Sequence, residues 1–240
     1  MQDVMYDIMY QTERNHWWYR LRRKLVAELL APIRQEKKEP LQILDIGCGT
    51  GLLMQGLRHF GEVHGIDVSE RAVAYCKARG LSPVVGSADR LPFPDASFDV
   101  IVMLDVLEHL KDDGAGAREV RRVLREDGTA IIAVPAFRFL WGVTDEISNH
   151  YRRYTRAELV RVLETSGLKV ERTTYFNTLL FPAIAIVRVL VRFFRIPVKS
   201  ENTMGGAVAN RILYLIFALE LPVLRHLNFP FGVSILAITS

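Results

Sequence analysis

The sequence predicts an α/β fold, a mostly parallel sheet with helices on both faces. Short apolar runs near 41–46, 62–66, 83–85, 97–104 and 128–134 alternate with helix-compatible segments at 51–59, 69–79 and 112–125, the rhythm of strand and crossover helix. The first run passes into a glycine turn, Ile43-Leu44-Asp45-Ile46-Gly47-Cys48-Gly49-Thr50-Gly51. Acidic residues, Asp45 and Asp67, stand at the ends of the first two runs, where ligands of such sheets bind. With 240 residues and 50% hydrophobic content, the chain can build a full core.

Ahead of the first strand, residues 3–37 read as helix in two pieces. The second runs from about Trp18 to Gln35, with Leu21, Leu25, Leu29 and Leu30 at helical spacing. This lead-in, residues 1–38, is expected to cover the ligand site. His16-Trp17-Trp18-Tyr19 precedes Arg20, Arg22, Arg23 and Lys24, which suits either aromatics packed on the domain or an interfacial belt or substrate wall. Met1 is followed by a polar segment with Asp3, Asp7, Glu13 and Arg14, so no secretory leader is expected.

Glycines 47, 49 and 51 let a ligand reach the backbone and the start of the next helix. A dinucleotide fingerprint would place a third small residue at 52, where this chain has Leu52. A carboxylate beside the turn repels a pyrophosphate and suits a cation such as a sulfonium, and Asp67 is placed to accept hydrogen bonds from ribose hydroxyls. Ser69 is the expected cap of the following helix; Gly80 and Gly128 are expected to close helices that end in basic residues. Cys48 and Cys76 offer neither a disulfide framework nor a metal spacing, so no metal is expected and a reducing cytoplasm fits.

Taken together, Asp45 to Gly51, Asp67, Ser87-Ala88-Asp89 with Leu91-Pro92-Phe93, and Phe98-Asp99-Val100-Ile101 leading to Asp105-Val106-Leu107-Glu108-His109-Leu110 resemble the class I S-adenosylmethionine-dependent methyltransferases, of the type 11 kind. The resemblance covers roughly residues 40–175. It implies a Rossmann-like sheet of seven strands, closed by an antiparallel pair at 168–175 and 233–238, with a helical insertion before the last strand. Residues 39–175 would be the cofactor-binding core, 176–232 the insertion and 233–240 the final strand. The resemblance also implies S-adenosylmethionine as cofactor. Asp45, Gly47, Gly49 and Gly51 would hold its methionine part, Asp67 its ribose, Ala88 and Asp89 its adenine, with Leu104 beside them.

Beyond the fifth run the chain carries Trp141, Asp145-Glu146 and His150-Tyr151-Arg152-Arg153-Tyr154, more aromatic and charged residues than a connection needs. Thr155 is the expected cap of a helix over 156–166. The His-Trp-Trp lead-in and this segment resemble bacterial methyltransferases of envelope glycan and lipid pathways. If the acceptor is a hydroxyl, a base is needed, and His150 and His109 are the candidates. Asp145 and Glu146 could orient His150; Arg152 and Arg153 could grip a phosphate; Trp141 and Tyr151 would complete the acceptor wall.

The charge of +4 lies in the insertion, where Arg188, Arg192, Arg195, Lys199, Arg211 and Arg225 face only Glu201 and Glu220. Arg188, Arg192 and Arg195 share one face of an apolar helix over 183–195, and a second apolar stretch runs from Ile212 to Leu219. Neither reads as a membrane span. An in-plane hairpin touching anionic lipid through 183–225 is expected, with a homodimer interface or buried subdomain as the other reading. The expected partner is an amphipathic, anionic, lipid-linked sugar or polyprenyl acceptor at the inner membrane face, with no nucleic acid. The rivals are a quinone-precursor methyltransferase and a non-catalytic cofactor-binding module.

Overall fold

The computed structural model describes residues 3–194 and 206–240. The chain opens with α1 (Asp3–Thr12) and α2 (Trp17–Glu36), continues through β1 (Leu41–Ile46), α3 (Leu52–Leu57), β2 (Gly61–Asp67), α4 (Glu70–Ala78), β3 (Val84–Val85) and β4 (Phe98–Leu104), then α5 (Asp113–Val123) and β5 (Leu124–Pro135). There follow α6 (Val143–Ile147), α7 (Arg156–Thr165), β6 (Val170–Phe176), α8 (Phe181–Phe193), α9 (Ala207–Ala218), α10 (Leu221–Leu224) and β7 (Ser234–Thr239).

The seven strands lie in the order β3-β2-β1-β4-β5-β7-β6. β1 to β5 pair in parallel, and β7 runs antiparallel to both β5 and β6. Alternate side chains point to opposite faces of a strand, and here both faces are covered. Ile101, Met103, Ile132 and Val134 pack with Val120 and Val123 of α5 and Leu159 and Leu163 of α7. Val100, Val102, Ile131 and Ala133 pack with Leu21, Leu25 and Leu30 of α2 and Phe217 of α9. This double burial is why the central strands read as unbroken apolar runs.

Side-chain caps set the helix starts. Ser69 accepts from Ala72 N, and Thr155 forms a reciprocal capping box with Glu158. The expected helix over 112–125 stops at Val123, because Leu124 already pairs with Phe98 in the sheet. Gly128 therefore lies inside β5 and caps nothing, whereas Gly80, at φ +73°, does follow its helix.

The helical insertion before the last strand is present, and α9 is longer than its expected span. Its inner side is part of the core. Phe217 is fully buried and stacks against Trp18 and Phe176, with Trp17 edge-on. Asn210 accepts from Trp17 N at 2.8 Å, and buried Glu220 accepts from Leu179 N at 2.6 Å. The insertion's outer side is apolar and open at Ile186, Leu190, Phe193, Val208, Ile212, Leu215 and Leu219. The stretch Ala207–Leu224 is long and apolar enough to cross a membrane by length and composition, and 22% of it is buried. Arg195, Lys199, Glu201 and the side chain of Arg192 lie outside the described residues.

Candidate functional site

A cleft of about 1060 Å³ lies beyond the carboxyl ends of β1, β2 and β4, walled by α1 and α2 on one side and by the segment after β5 with α8 and α9 on another. Its position follows from the parallel sheet, whose strand ends converge there.

At one end lies the glycine turn. Gly47 holds φ +72°, and a Cβ added to it would come within 2.3 Å of Val106 Cγ2. Gly49 N donates to Asp67 Oδ2 at 2.8 Å. The other Asp67 oxygen accepts from Ser69 N at 3.0 Å and from the Tyr6 hydroxyl at 3.1 Å. Asp45 is 2% exposed, and its Oδ2 has no hydrogen-bond partner among the described residues. Burial, and then the charge of Asp67, push the Asp45 pKa up to about 8, against the opposing pull of Arg22. A buried carboxyl left in this state is one that a bound cation would satisfy.

Of the other residues expected here, Leu104 and Ala88 line the cleft. Asp89 is exposed and stands outside the lining; Gly86 and Ser87 are the neighbours of Ala88 in the wall. Gly51 is not in the wall either. It holds φ +84°, and a Cβ there would meet Cys76 Sγ at 2.7 Å and Leu81 Cδ1 at 2.8 Å, so its smallness serves the packing of α3 on α4. Past Leu104 the chain turns at Asp105, φ +54°, whose carboxylate takes Arg22 at 2.7 Å.

In the same cleft His150 and His109 meet edge to face, with ring centroids 4.5 Å apart. His150 Nδ1 lies 2.8 Å from Asp145 Oδ1. Burial alone would raise the Asp145 pKa, but hydrogen bonds from His150 and Arg153 outweigh it and hold the carboxylate down at about 2. Burial, then the neighbouring His150, push His109 down to about 3, so its imidazole is neutral. Beside them Glu108 is fully buried, and neither carboxylate oxygen has a hydrogen-bond partner among the described residues. Burial first, and the charge of Asp105 second, raise its carboxyl well above the ordinary range. Trp141 and the exposed Tyr151 line the mouth.

The two arginines expected to grip a phosphate are committed elsewhere. Arg153, 8% exposed, binds both oxygens of Asp145 at 2.8 and 2.9 Å and donates to Ala136 O. Arg152 pairs with Asp113 at 2.8 Å and donates to the Leu110 and Lys111 carbonyls, outside the cleft lining. Arg188, expected at a lipid surface, turns inward to the Leu140 carbonyl and lies 3.9 Å from Asp145. Sequence reading also missed Tyr6, Arg22 and Asp105 as cleft residues. Asp105 and Arg22 sat in segments already singled out; Tyr6 carried no local signal.

A family model described as a methyltransferase domain matches residues 44–132. The chain carries a class I methyltransferase domain. A Mycolicibacterium smegmatis protein, named a probable S-adenosylmethionine-dependent methyltransferase, is 34% identical over 169 residues, which are 67% of this chain and 62% of that protein. The chain thus spans about three fifths of that relative's length. A chain of the complex containing the Haloferax volcanii Trm112 methyltransferase activator superposes with a TM-score of 0.62 at 19% identity, over 99% of this chain and 94% of that one. The [4+2]-cyclase SpnF follows at 0.61 and 19%, over 98% and 93%. At such identity these two likenesses are of fold alone. S-adenosylmethionine is the cofactor of the methyltransferase domain, and the unpartnered oxygen of Asp45, the Asp67 carboxylate and the side-chain-free wall at Gly47 and Gly49 fit a cationic nucleoside.

Proposed function

We propose that the chain transfers a methyl group from S-adenosylmethionine to a hydroxyl of an amphipathic acceptor. The carrying observation is that one cleft holds both a buried carboxyl with an unpartnered oxygen at the glycine turn and an imidazole pair. When bound, the cofactor supplies an electrophilic methyl on a sulfonium. Asp45 with Gly47 and Gly49 would hold its methionine part, Asp67 its ribose, and Ala88 with Ser87 its adenine. His109 and His150 would activate the acceptor hydroxyl, and Trp141 and Tyr151 would pack its body. Because transfer is an in-line displacement, alignment and exclusion of water by the N-terminal helices carry much of the work.

The acceptor is greasy on this reading, a lipid-linked sugar or polyprenyl compound, because Ile184 and Val187 of α8 and Leu213 of α9 enter the cleft wall while their neighbours expose an apolar side. That side, with Arg211 on it, would rest on the inner membrane face of the cytoplasm. With Arg152 and Arg153 paired inside the protein, a phosphate on the acceptor loses its support, and an uncharged quinone precursor is served equally well.

Calorimetric titration with S-adenosylmethionine tests the core of this reading. Binding in the micromolar range, lost in Asp67→Ala, is expected; a well-folded wild type that binds nothing rejects it. Flotation with anionic vesicles tests the membrane part, and protein left wholly at the bottom of the gradient at low salt rejects that part.

A further inference from the structure

The geometry points to a divalent transition-metal site at Glu108, His109 and His150. One ligand atom from each of the three lies within 4.8 Å of the other two. Ligands bound at about 2.0–2.2 Å stand roughly 3–3.5 Å apart, so a small rotation of side chains closes the set. Glu108 is fully buried, both its oxygens lack a hydrogen-bond partner among the described residues, and it faces the cleft. Burying such a group unsatisfied is costly, and a cation is the partner this pocket can admit.

His150 is held as metal ligands usually are, with one ring nitrogen engaged behind it. His150 Nδ1 is engaged by Asp145, itself fixed by Arg153 from the far side. The second ring nitrogen of His150 is left for the ion, and His109 brings its ring edge-to-face beside it. Two imidazoles and one carboxylate suit zinc or iron(II), and three protein ligands leave positions open toward the cleft. On the methyl-transfer reading, a bound ion would hold the acceptor's oxygen and lower its pKa so that the hydroxyl gives its proton to water; that oxygen would then bond the methyl carbon as the carbon–sulfur bond breaks, with the two histidines serving as ligands rather than as the base. Metal binding itself does not depend on that reading. The ligands are distant in the sequence except for Glu108-His109, which is why cysteine and histidine spacing gave no metal signal.

The test is titration of untagged, chelator-treated full chain with cobalt(II), followed by visible absorption and calorimetry, with S-adenosylmethionine titrated on the same preparation. One cobalt per chain, displaced by zinc, is expected. Glu108→Gln and His150→Ala should each weaken it tenfold or more, Asp145→Asn by about 10- to 100-fold, and Asp67→Ala not at all. Should Glu108→Gln fail to fold, His150→Ala, with its ring at the cleft wall, carries the test alone. A folded wild type that binds no cobalt overturns the site, as does unchanged binding in the His109→Ala/His150→Ala double variant. Cofactor binding without cobalt binding removes only the metal site; cobalt binding without cofactor binding removes the methyl-transfer reading and leaves the metal site standing.

Discussion

The Tyr6 hydroxyl donates to Asp67 across 3.1 Å, so the first helix of the chain rests on the carboxylate at the end of β2. That oxygen also accepts from Ser69 N, and its twin accepts from Gly49 N. A ribose diol arriving at Asp67 competes with Tyr6. Tyr6→Phe is expected to tighten S-adenosylmethionine about three- to tenfold, the worth of one released hydrogen bond. Weaker binding by calorimetry would mean that Tyr6 stays engaged when the site is filled.

Asp45 makes binding depend on pH. With its pKa raised to about 8, the free chain holds a proton that a cationic ligand must expel. Affinity should rise toward pH 8, by at most about tenfold per unit, and then level off. Equal binding heats in buffers of different ionisation enthalpy would refute proton release. The stability sign is the reverse. The folded chain keeps a proton that the unfolded one releases above about pH 4, so this carboxyl costs increasing stability from there to about pH 8. Asp45→Asn should therefore melt higher than wild type by a margin that grows as pH rises.

Asp145 behaves oppositely. Its pKa, held at about 2, lies below the unfolded value, so its contribution is full above about pH 4 and fades as pH falls toward 2. Asp145→Asn leaves the Arg153 guanidinium buried without its carboxylate and should cost about 3–5 kcal/mol at pH 7. In urea unfolding the gap should narrow at pH 3; a pH-independent gap would point to packing alone.

Gly47→Ala places a methyl 2.3 Å from Val106 Cγ2 at a φ of +72°. A loss of about 1–3 kcal/mol is expected, with weaker cofactor binding as the turn shifts. Val106→Ala in the same chain should recover part of the stability, and no recovery would assign the whole effect to the backbone.

The legible parts of this molecule are those whose cause is local. Asp45, Gly47 and Gly49 sit on one strand and its turn, and the alternation of runs sets the sheet from β1 to β5. The helix after β4 was read two residues too long because its end is decided by Leu124 pairing with Phe98, a contact across the sheet. Spacing gave Arg188 a helix face but not the direction in which that face looks. Arg152 and Arg153 read as a free pair because their partners, Asp113 and Asp145, come to them through the fold. Tyr6 reaches Asp67 from 61 residues away, a distance over which no sequence pattern speaks.

β7 joins β5 to β6, and among the described residues β6 has no other strand beside it. During synthesis β6 leaves the ribosome first, followed by the whole helical insertion, and residues 234–239 come last. Until then β6 lacks the strand it pairs with, and the cleft wall that α8 and α9 supply has its contacts with Trp17 and Trp18 of α2 but not its anchor in the sheet. The five parallel strands can assemble early, whereas the acceptor side of the cleft waits for the last strand to slide between its neighbours. Pairing at such sequence separation is slow, so a nascent chain should acquire a cofactor pocket before it acquires an acceptor pocket.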